Sequence, residues 1–287
     1  MGMVKTVGLV LHPQRDSKVA IDTIVEWARA RSVTVLGLPD EVGRIDCSAV
    51  AVDGATLVDR ADLLVSLGGD GTMLRTMRLI SGRRTPILGV NLGKLGFLAE
   101  IDVDELPFAL SAIDDHAYTV EPRMAVRATL PDGTSVTAFN DIALVRIPGH
   151  GLSAMSIAVE GHPFVRYAAD AVIVATPTGS TAYSFSAGGP IVSPTVEGFL
   201  VVPAAAHSSF NRALVLSADE RVVLGLLPAS GRLALEVDGA VGGHLSPGDE
   251  LTVTAVRAAA WVVRLGTTSF YERARRKLRV NGSAEVD

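Results

Sequence analysis

The chain has 287 residues, 48% of them hydrophobic and 20% charged, with a formal net charge of -5. That apolar share excludes extensive disorder, and the acidic balance excludes a polyanion binder such as a nucleic-acid protein. The single cysteine, Cys47, can form neither an internal disulfide nor a thiolate metal cluster, and no run of about 18 uninterrupted apolar residues offers a membrane span.

The first third alternates strand and helix patterns. Val4 to Leu11 reads as a buried strand rather than a secretory signal, since the charged start and small-residue cleavage site of a signal are missing. Asp16 is placed to cap a helix whose apolar face is Val19, Ile24, Trp27 and Ala28. Val33 to Leu38 and Leu63 to Leu67 are further strands. After Gly68-Gly69-Asp70-Gly71 comes a helix with apolar positions Met73, Leu74, Met77 and Ile80. Pro86 to Val90 is a fourth strand, and Glu105 to Ile113 a helix. Strands separated by helices predict a doubly wound α/β domain with a parallel sheet, spanning residues 1–116.

Past Tyr118 the pattern changes to short β runs: Ala125 to Leu130, Ser135 to Phe139, Ile142 to Val145, Ser156 to Val159, Ala171 to Ala175, Leu233 to Val237 and Leu251 to Val256. Pro131-Asp132-Gly133, Glu160-Gly161 and Asp238-Gly239 are turn signals between them. Residues 117–265 are therefore expected to form a mostly antiparallel β domain. The basic helical stretch Ser269 to Leu278 can dock back, so that residues 266–287 complete the first domain.

Two segments carry chemistry. Gly68-Gly69-Asp70-Gly71-Thr72 joins a strand to a helix. Its glycines let backbone N–H groups approach a phosphate, and the helix dipole favours the anion. Asp70 there either accepts a proton from an attacking hydroxyl or caps the helix; Thr72 either caps or touches phosphate. Neither the six-residue dinucleotide fingerprint nor a lysine-bearing P-loop is present. The second segment is a buried strand from Asp170 that runs into Thr176-Pro177-Thr178-Gly179-Ser180-Thr181-Ala182-Tyr183 and on to Ser186-Ala187-Gly188-Gly189-Pro190. Its hydroxyls and amides can read an adenine or ribose edge and Tyr183 can wall a pocket, although Thr-Pro-Thr-Gly is also ordinary turn chemistry.

These stretches resemble the NAD kinase family. Also matching are Asn91-Leu92-Gly93, Leu95-Gly96-Phe97-Leu98, Asn140-Asp141 and the strand into Pro203 to His207. The likeness runs in order from about residue 60 to about residue 240, and the first 55 or so residues match in pattern only. Gly-Gly-Asp-Gly-Thr is shared with lipid kinases, whereas the Thr-Pro-Thr-Gly-Ser-Thr-Ala-Tyr run is particular to NAD kinases.

The resemblance implies an α/β domain followed by a β domain. It also implies transfer of the γ-phosphate of ATP, or of a phosphate from polyphosphate, to the adenosine 2′-hydroxyl of NAD with a divalent cation such as magnesium. By position, Asp70 is the base. Gly68, Gly69, Gly71 and Thr72 face the phosphates, Gly71 also lying against NAD, and Phe97 walls the site. Asn140, Asp141, Thr181, Ala182 and Tyr183 surround the adenosine, and Ser184 and Phe185 belong to the same NAD-binding run. Asp170, Ser186 and Ala205 contact the rest of the dinucleotide. No metal ligand is assigned. A cytoplasmic homo-oligomer, dimer or tetramer, is implied as well.

Three positions depart from the pattern: Asp141 stands for the usual Glu, Ala168 for an Arg two residues before Asp170, and Ala171 for a Gly. Two other functions stay open on the residues alone: a non-catalytic NAD(P) sensor, and a lipid kinase that shares the phosphate loop. His207, Arg75 and the basic cluster Arg273, Arg275, Arg276, Lys277 and Arg279 are read as surface or structural groups, with phosphate or subunit contact by the cluster as the second reading.

Overall fold

The computed structural model describes residues 4–45, 47–93, 96–208 and 210–280. Leu95, and the part of the expected C-terminal completion beyond Val280, lie outside the described residues. The chain divides into two compact units, Met1–Pro122 with Ala260–Asp287, and Arg123–Ala259. No helix of the described residues is long and apolar enough to cross a membrane.

The first unit runs β1 (Thr6–Leu11), α1 (Lys18–Ala30), β2 (Thr34–Gly37), α2 (Pro39–Ile45), β3 (Val50–Ala51), α3 (Gly54–Arg60), β4 (Leu63–Gly68), α4 (Asp70–Leu79), β5 (Pro86–Asn91), β6 (Ile101–Asp102) and α5 (Leu106–Asp114). Its strands are parallel in the order β3-β2-β1-β4-β5. Their runs of Val, Leu and Ile are buried on both faces, as helix-covered parallel sheets require. Strand order reverses between β1 and β4, and ligands of such sheets bind beyond the carboxyl ends of the strands at that reversal. Those ends are tied together: His12 N–H donates to Leu67 O (2.8 Å), and Leu92 N–H donates to Gly68 O (2.9 Å). The Gly68 to Thr72 turn thus begins at the sheet's switch point.

Helix α1 departs from its expected details. Its N-cap is Ser17, while Asp16 accepts the N–H of Lys18 at 2.8 Å. Ala20, Ile21, Ile24, Trp27 and Ala28 form the buried face, and Val19 is 69% exposed. A period of 3.6 puts Val19 one position off the stripe that Ala20 and Ile24 define. The short helices α2 and α3, absent from the sequence reading, are set by local chemistry: Asp53 caps α3 by accepting from Thr56 N–H at 2.9 Å.

The second unit holds β7 (Thr119–Thr129, from Arg123 on), β8 (Ser135–Ala138), β9 (Asp141–Arg146), β10 (Ala154–Val159), β11 (His162–Ala168), β12 (Ala171–Ala175), α6 (Tyr183–Ser186), β13 (Gly198–Ala204), β14 (Leu214–Ser217), β15 (Arg221–Leu226), β16 (Leu233–Val237), β17 (Ala240–Leu245) and β18 (Glu250–Arg264, up to Ala259). One antiparallel sheet has the order β14-β13-β12-β9-β16-β17. Strands β11, β10, β15 and β18 form a second antiparallel run. Strand β18 extends to Arg264, well past the expected Val256. Central strand β12 is buried on both faces, which explains its uninterrupted apolar run. Val172 and Val174 join the larger core, while Ala171, Ile173 and Ala175 pack with Leu200, Val202 and the ring of Tyr183.

The chain then returns to the first unit, where Trp261 and Val262 pair with Pro86 and Ile87, and α7 (Phe270–Leu278) follows. Ser269 caps α7 by accepting from Glu272 N–H at 3.1 Å. The anchor is Glu100, whose side chain is fully buried. It takes Arg264 Nη1 at 2.7 Å, Arg273 Nη2 at 2.6 Å and the N–H of Leu265 at 2.8 Å. Arg273, 4% exposed, also donates to Ala99 O and Thr268 O. It is no solvated helix-end cation. Breaking a buried pair leaves an uncompensated charge. Arg273→Ala is expected to destabilise the chain by roughly 3 kcal/mol in denaturant unfolding, partly offset by the Arg264 contact. Arg276→Ala, which loses an exposed i,i+4 pair with Glu272, should change it by less than about 0.5 kcal/mol.

Candidate active site

In the first unit the strand-to-helix turn puts Asp70 at the first position of α4, with Gly69 as N-cap. The Asp70 side chain is not spent on capping. Oδ1 accepts the N–H of Phe97 (3.0 Å) and of Leu98 (3.0 Å); Oδ2 accepts Phe97 N–H at 3.1 Å and Lys277 Nζ at 3.0 Å. Two glycines make this possible. A Cβ at Gly96 would lie 2.2 Å from Asp70 Oδ1, and one at Gly68 would lie 2.1 Å from Thr72 Oγ1. At Gly71 a Cβ would meet no protein atom within 4 Å, so packing does not demand glycine there. The hydroxyl of Thr72 is buried and has no hydrogen-bond partner among the described residues. Phe97 is buried, its ring 6.5 Å from that of Phe270 and 4.6 Å from Lys277 Nζ.

Cations gather beside this turn. Arg75 bonds Glu41 Oε1 at 2.6 Å and donates to Leu11 O, and Arg44 donates to His12 O at 2.7 Å. Arg15 Nη1 lies where a Cβ on Gly93 would fall, at 2.4 Å. Burial first, then the charges of Arg15, Arg44 and Arg75, holds the His12 imidazole below its usual range. Its Nδ1 accepts the N–H groups of Gln14 and Arg15. Arg75 is thus a bridging group rather than a bare surface arginine.

In the second unit the loop after β12 folds onto the start of β9. Thr176 N–H donates to Asn140 O (2.9 Å), Thr176 Oγ1 to Phe139 O (2.5 Å), and Gly179 N–H to Thr176 Oγ1 (3.0 Å). A Cβ at Gly179 would sit 1.9 Å from Asn140 O, so only glycine permits this approach. Ser180 Oγ donates to Pro177 O (2.7 Å) and accepts Val192 N–H (3.0 Å). The hydroxyls of Thr176 and Ser180 are therefore turned inward, as in the plain turn reading of this motif. Thr181, Ala182 and Tyr183 stay partly exposed, as do Phe185 and Ser186, whereas Ser184 is fully buried.

Asn140, Asp141, Ala182 and Tyr183 line one pocket together with Glu236, Asp238 and Gly239. Asp170 and Ala205 are exposed and outside that lining; Ala205 has a left-handed φ of 50°. Asp238, which the sequence offered only as a turn residue, is the organiser. At φ 48° its carboxylate accepts the N–H groups of Asn140 (2.7 Å), Phe139 (3.3 Å) and Asp141 (3.4 Å). Arg146 was also missed. From β9 its Nε reaches Asp170 Oδ1 at 2.8 Å, giving that carboxylate a cation where Ala168 supplies none. Only strand register reveals it, since Ala171 pairs with Val145.

Asp141 is 3% exposed. Burial, then the charge of Asp238 and less so of Glu236, raises its carboxyl from 3.8 to about 7, while a bond from the Tyr183 backbone pulls the other way. Burial, then Glu236, Asp141 and Asp170, likewise raises the Tyr183 phenol and keeps it a neutral donor.

Residues 7–118 match the ATP-NAD kinase N-terminal domain and residues 139–265 the ATP-NAD kinase C-terminal domain. The NAD kinase of Moorella thermoacetica is 36% identical over 289 residues, covering 99% of this chain and 92% of that protein. The crystal structure of yeast NADH kinase complexed with NADH superimposes with a TM-score of 0.88 at 28% identity, covering 100% of this chain and 91% of that one. That of an NAD kinase from Archaeoglobus fulgidus in complex with ATP gives 0.74 at 25%, covering 96% and 100%. Two NAD kinase domain matches in order, and NAD kinase relatives aligned over nearly the whole chain, make this chain a phosphotransferase. The chain belongs to the NAD kinase family. These matches lend no support to a lipid kinase or a non-catalytic sensor.

Two outcomes follow. Below about pH 4 the Asp141 carboxyl is protonated both folded and unfolded; between about 4 and 7 only the unfolded chain loses the proton, so stability falls as pH rises and levels off above about 7. Asp141→Asn should therefore raise the melting temperature at pH 8 by several degrees and leave it nearly unchanged at pH 4; equal shifts at both would refute the assignment. Gly96→Ala should displace the Asp70 carboxylate and cut turnover at least about tenfold, read by steady-state assay.

Proposed function

We propose that the chain transfers the γ-phosphoryl of ATP to the adenosine 2′-hydroxyl of NAD, giving NADP and ADP. Asp70 takes the hydroxyl proton as the oxygen bonds to Pγ and the bond from Pγ to the bridging oxygen of ADP breaks. The observation that carries this reading is the Asp70 carboxylate at the switch point, bonded by two backbone N–H groups yet with its side chain 28% accessible. Gly68, Gly69, Gly71 and Thr72 bind the donor's phosphates. The open surroundings of Gly71 and the buried unpartnered hydroxyl of Thr72 support that role.

Asn140, Asp141, Thr181, Ala182 and Tyr183 bind the adenosine, Phe97 and Phe185 give apolar wall, and Asp170, Ser186 and Ala205 serve the rest of the dinucleotide. Ser184 enters as packing beneath the loop. Arg146 stands in for the arginine lacking at Ala168. Among the described residues no group of three or more His, Cys, Asp or Glu is arranged to hold a metal ion. Magnesium enters as part of the ATP complex, held by phosphate and water. The homo-oligomer and the cytoplasmic setting that the resemblance implies belong to this reading too.

The test is NADP formation measured across ATP, polyphosphate, NAD and NADH. Wild-type protein should form NADP, and Asp70→Asn should lower kcat by about 10²–10⁴-fold with an unchanged circular dichroism spectrum. A chain that makes no NADP from any donor, or an Asp70→Asn variant as active as wild type, would sink the proposal.

A further inference from the structure

Lys277 sits in the last turn of α7, a position its sequence context assigns to solvent. Its Nζ lies 3.0 Å from Asp70 Oδ2 and 4.6 Å from the centre of the Phe97 ring. The neighbouring cation Arg276 faces away, to Glu272. The placement is not casual, because Arg273, one helical turn earlier, is buried on Glu100 and fixes the rotation of the helix. Residues four apart lie on one face, so the turn that buries Arg273 delivers Lys277.

A carboxylate offers about four lone-pair sites. At Asp70, Oδ1 has both filled by the N–H groups of Phe97 and Leu98, and Oδ2 holds only the longer, shared bond from Phe97 besides Lys277. Without the ammonium, the carboxylate plane would be held only from the side of Phe97 and Leu98, leaving more play in the terminal torsion, which is broad for an aspartate. We propose that Lys277 is a positioning residue for the phosphoryl transfer: it fixes the plane of the Asp70 carboxylate so that Oδ2, which shares the Phe97 N–H with Oδ1, faces the acceptor hydroxyl. The C-terminal helix thereby becomes part of the catalytic apparatus. The ring of Phe97 holds the ammonium in place by its negative face.

This rests on the reading of Asp70 as base, and the experiment separates the two. In the full-length protein, Lys277→Met should lower kcat for NADP formation about 10- to 100-fold, with KM for NAD changed less than about threefold. Added ethylammonium should restore part of the rate to Lys277→Ala, and Arg276→Ala should match wild type. Amide hydrogen exchange at Phe97 and Leu98, which needs no activity, should quicken in Lys277→Met while the core amides of β4 stay protected. Wild-type kcat in an active Lys277→Met enzyme overturns the proposal, as does a rise in KM alone, or unchanged exchange at those two amides. Failure of the wild type itself to form NADP would instead defeat the base assignment, and the exchange measurement would still decide whether Lys277 orders the carboxylate.

Discussion

A carboxylate that is to act as a base, the role proposed for Asp70, must stay reachable and yet must not swing. Much of the first unit's local structure meets that pair of demands at Asp70. The end of β4 and the start of α4 place its Cα, the 96–98 loop supplies N–H groups to Oδ1, and α7 returns to hold Oδ2. Each contribution needs a missing side chain or a buried charge elsewhere. Gly96 has to lack a Cβ for the carboxylate to fit, Gly68 has to lack one for Thr72 to turn inward, and Glu100 has to be buried for α7 to dock. The carboxylate is thus held from the 96–98 loop and from α7 while its side chain stays 28% accessible.

The second unit solves a different problem, the presentation of polar edges from a loop that carries few charged groups. Its solution costs stability. Asp141, Glu236 and Asp238 crowd one pocket, and burying Asp141 there disfavours its ionised form. Up to about 4 kcal/mol of folding free energy is forgone by the 3.8-to-about-7 change. Asp238 offsets part of this by gathering three successive N–H groups, which fixes where Asn140 and Asp141 begin β9. A neutral carboxyl at position 141 is also a donor, a property that an ionised carboxylate lacks. A stability cost of this kind is expected where function and stability compete.

Periodicity made the parallel sheet, the position of α4 and the antiparallel strands readable, because burial on one or both faces leaves a pattern of period 3.6 or 2. The Asp70 turn and the Thr176 to Tyr183 loop were readable as motifs. What stayed hidden depends on long-range pairing. Lys277 lies 207 residues from Asp70 and Arg273 lies 173 from Glu100, so their charges read as an ordinary basic helix end. Arg146 meets Asp170 only through the register of β9 and β12. The hydroxyls of Thr176 and Ser180 looked like ligand contacts but fasten the loop to Phe139 and Val192, because a turn of that composition bonds to itself first.

The three departures from the family pattern are absorbed in three different ways. The methyl of Ala171 fills space in the smaller core with Ala143 and Leu200, so a side chain replaces glycine without disturbing β12. Asp141 keeps a carboxyl in the pocket with one methylene fewer, and its backbone is secured by Asp238 rather than by its own reach. At Ala168 the arginine is lost from one strand and a guanidinium arrives from another. Arg166 is exposed on β11 opposite Ser156 and does not replace it, whereas Arg146 forms the 2.8 Å contact to Asp170. A cation delivered across a ladder is constrained by both strands, because Arg146 N–H also donates to the carbonyl of Asp170 at 2.8 Å. In this chain the cation beside Asp170 is thus supplied by sheet geometry, from the neighbouring strand rather than from position 168.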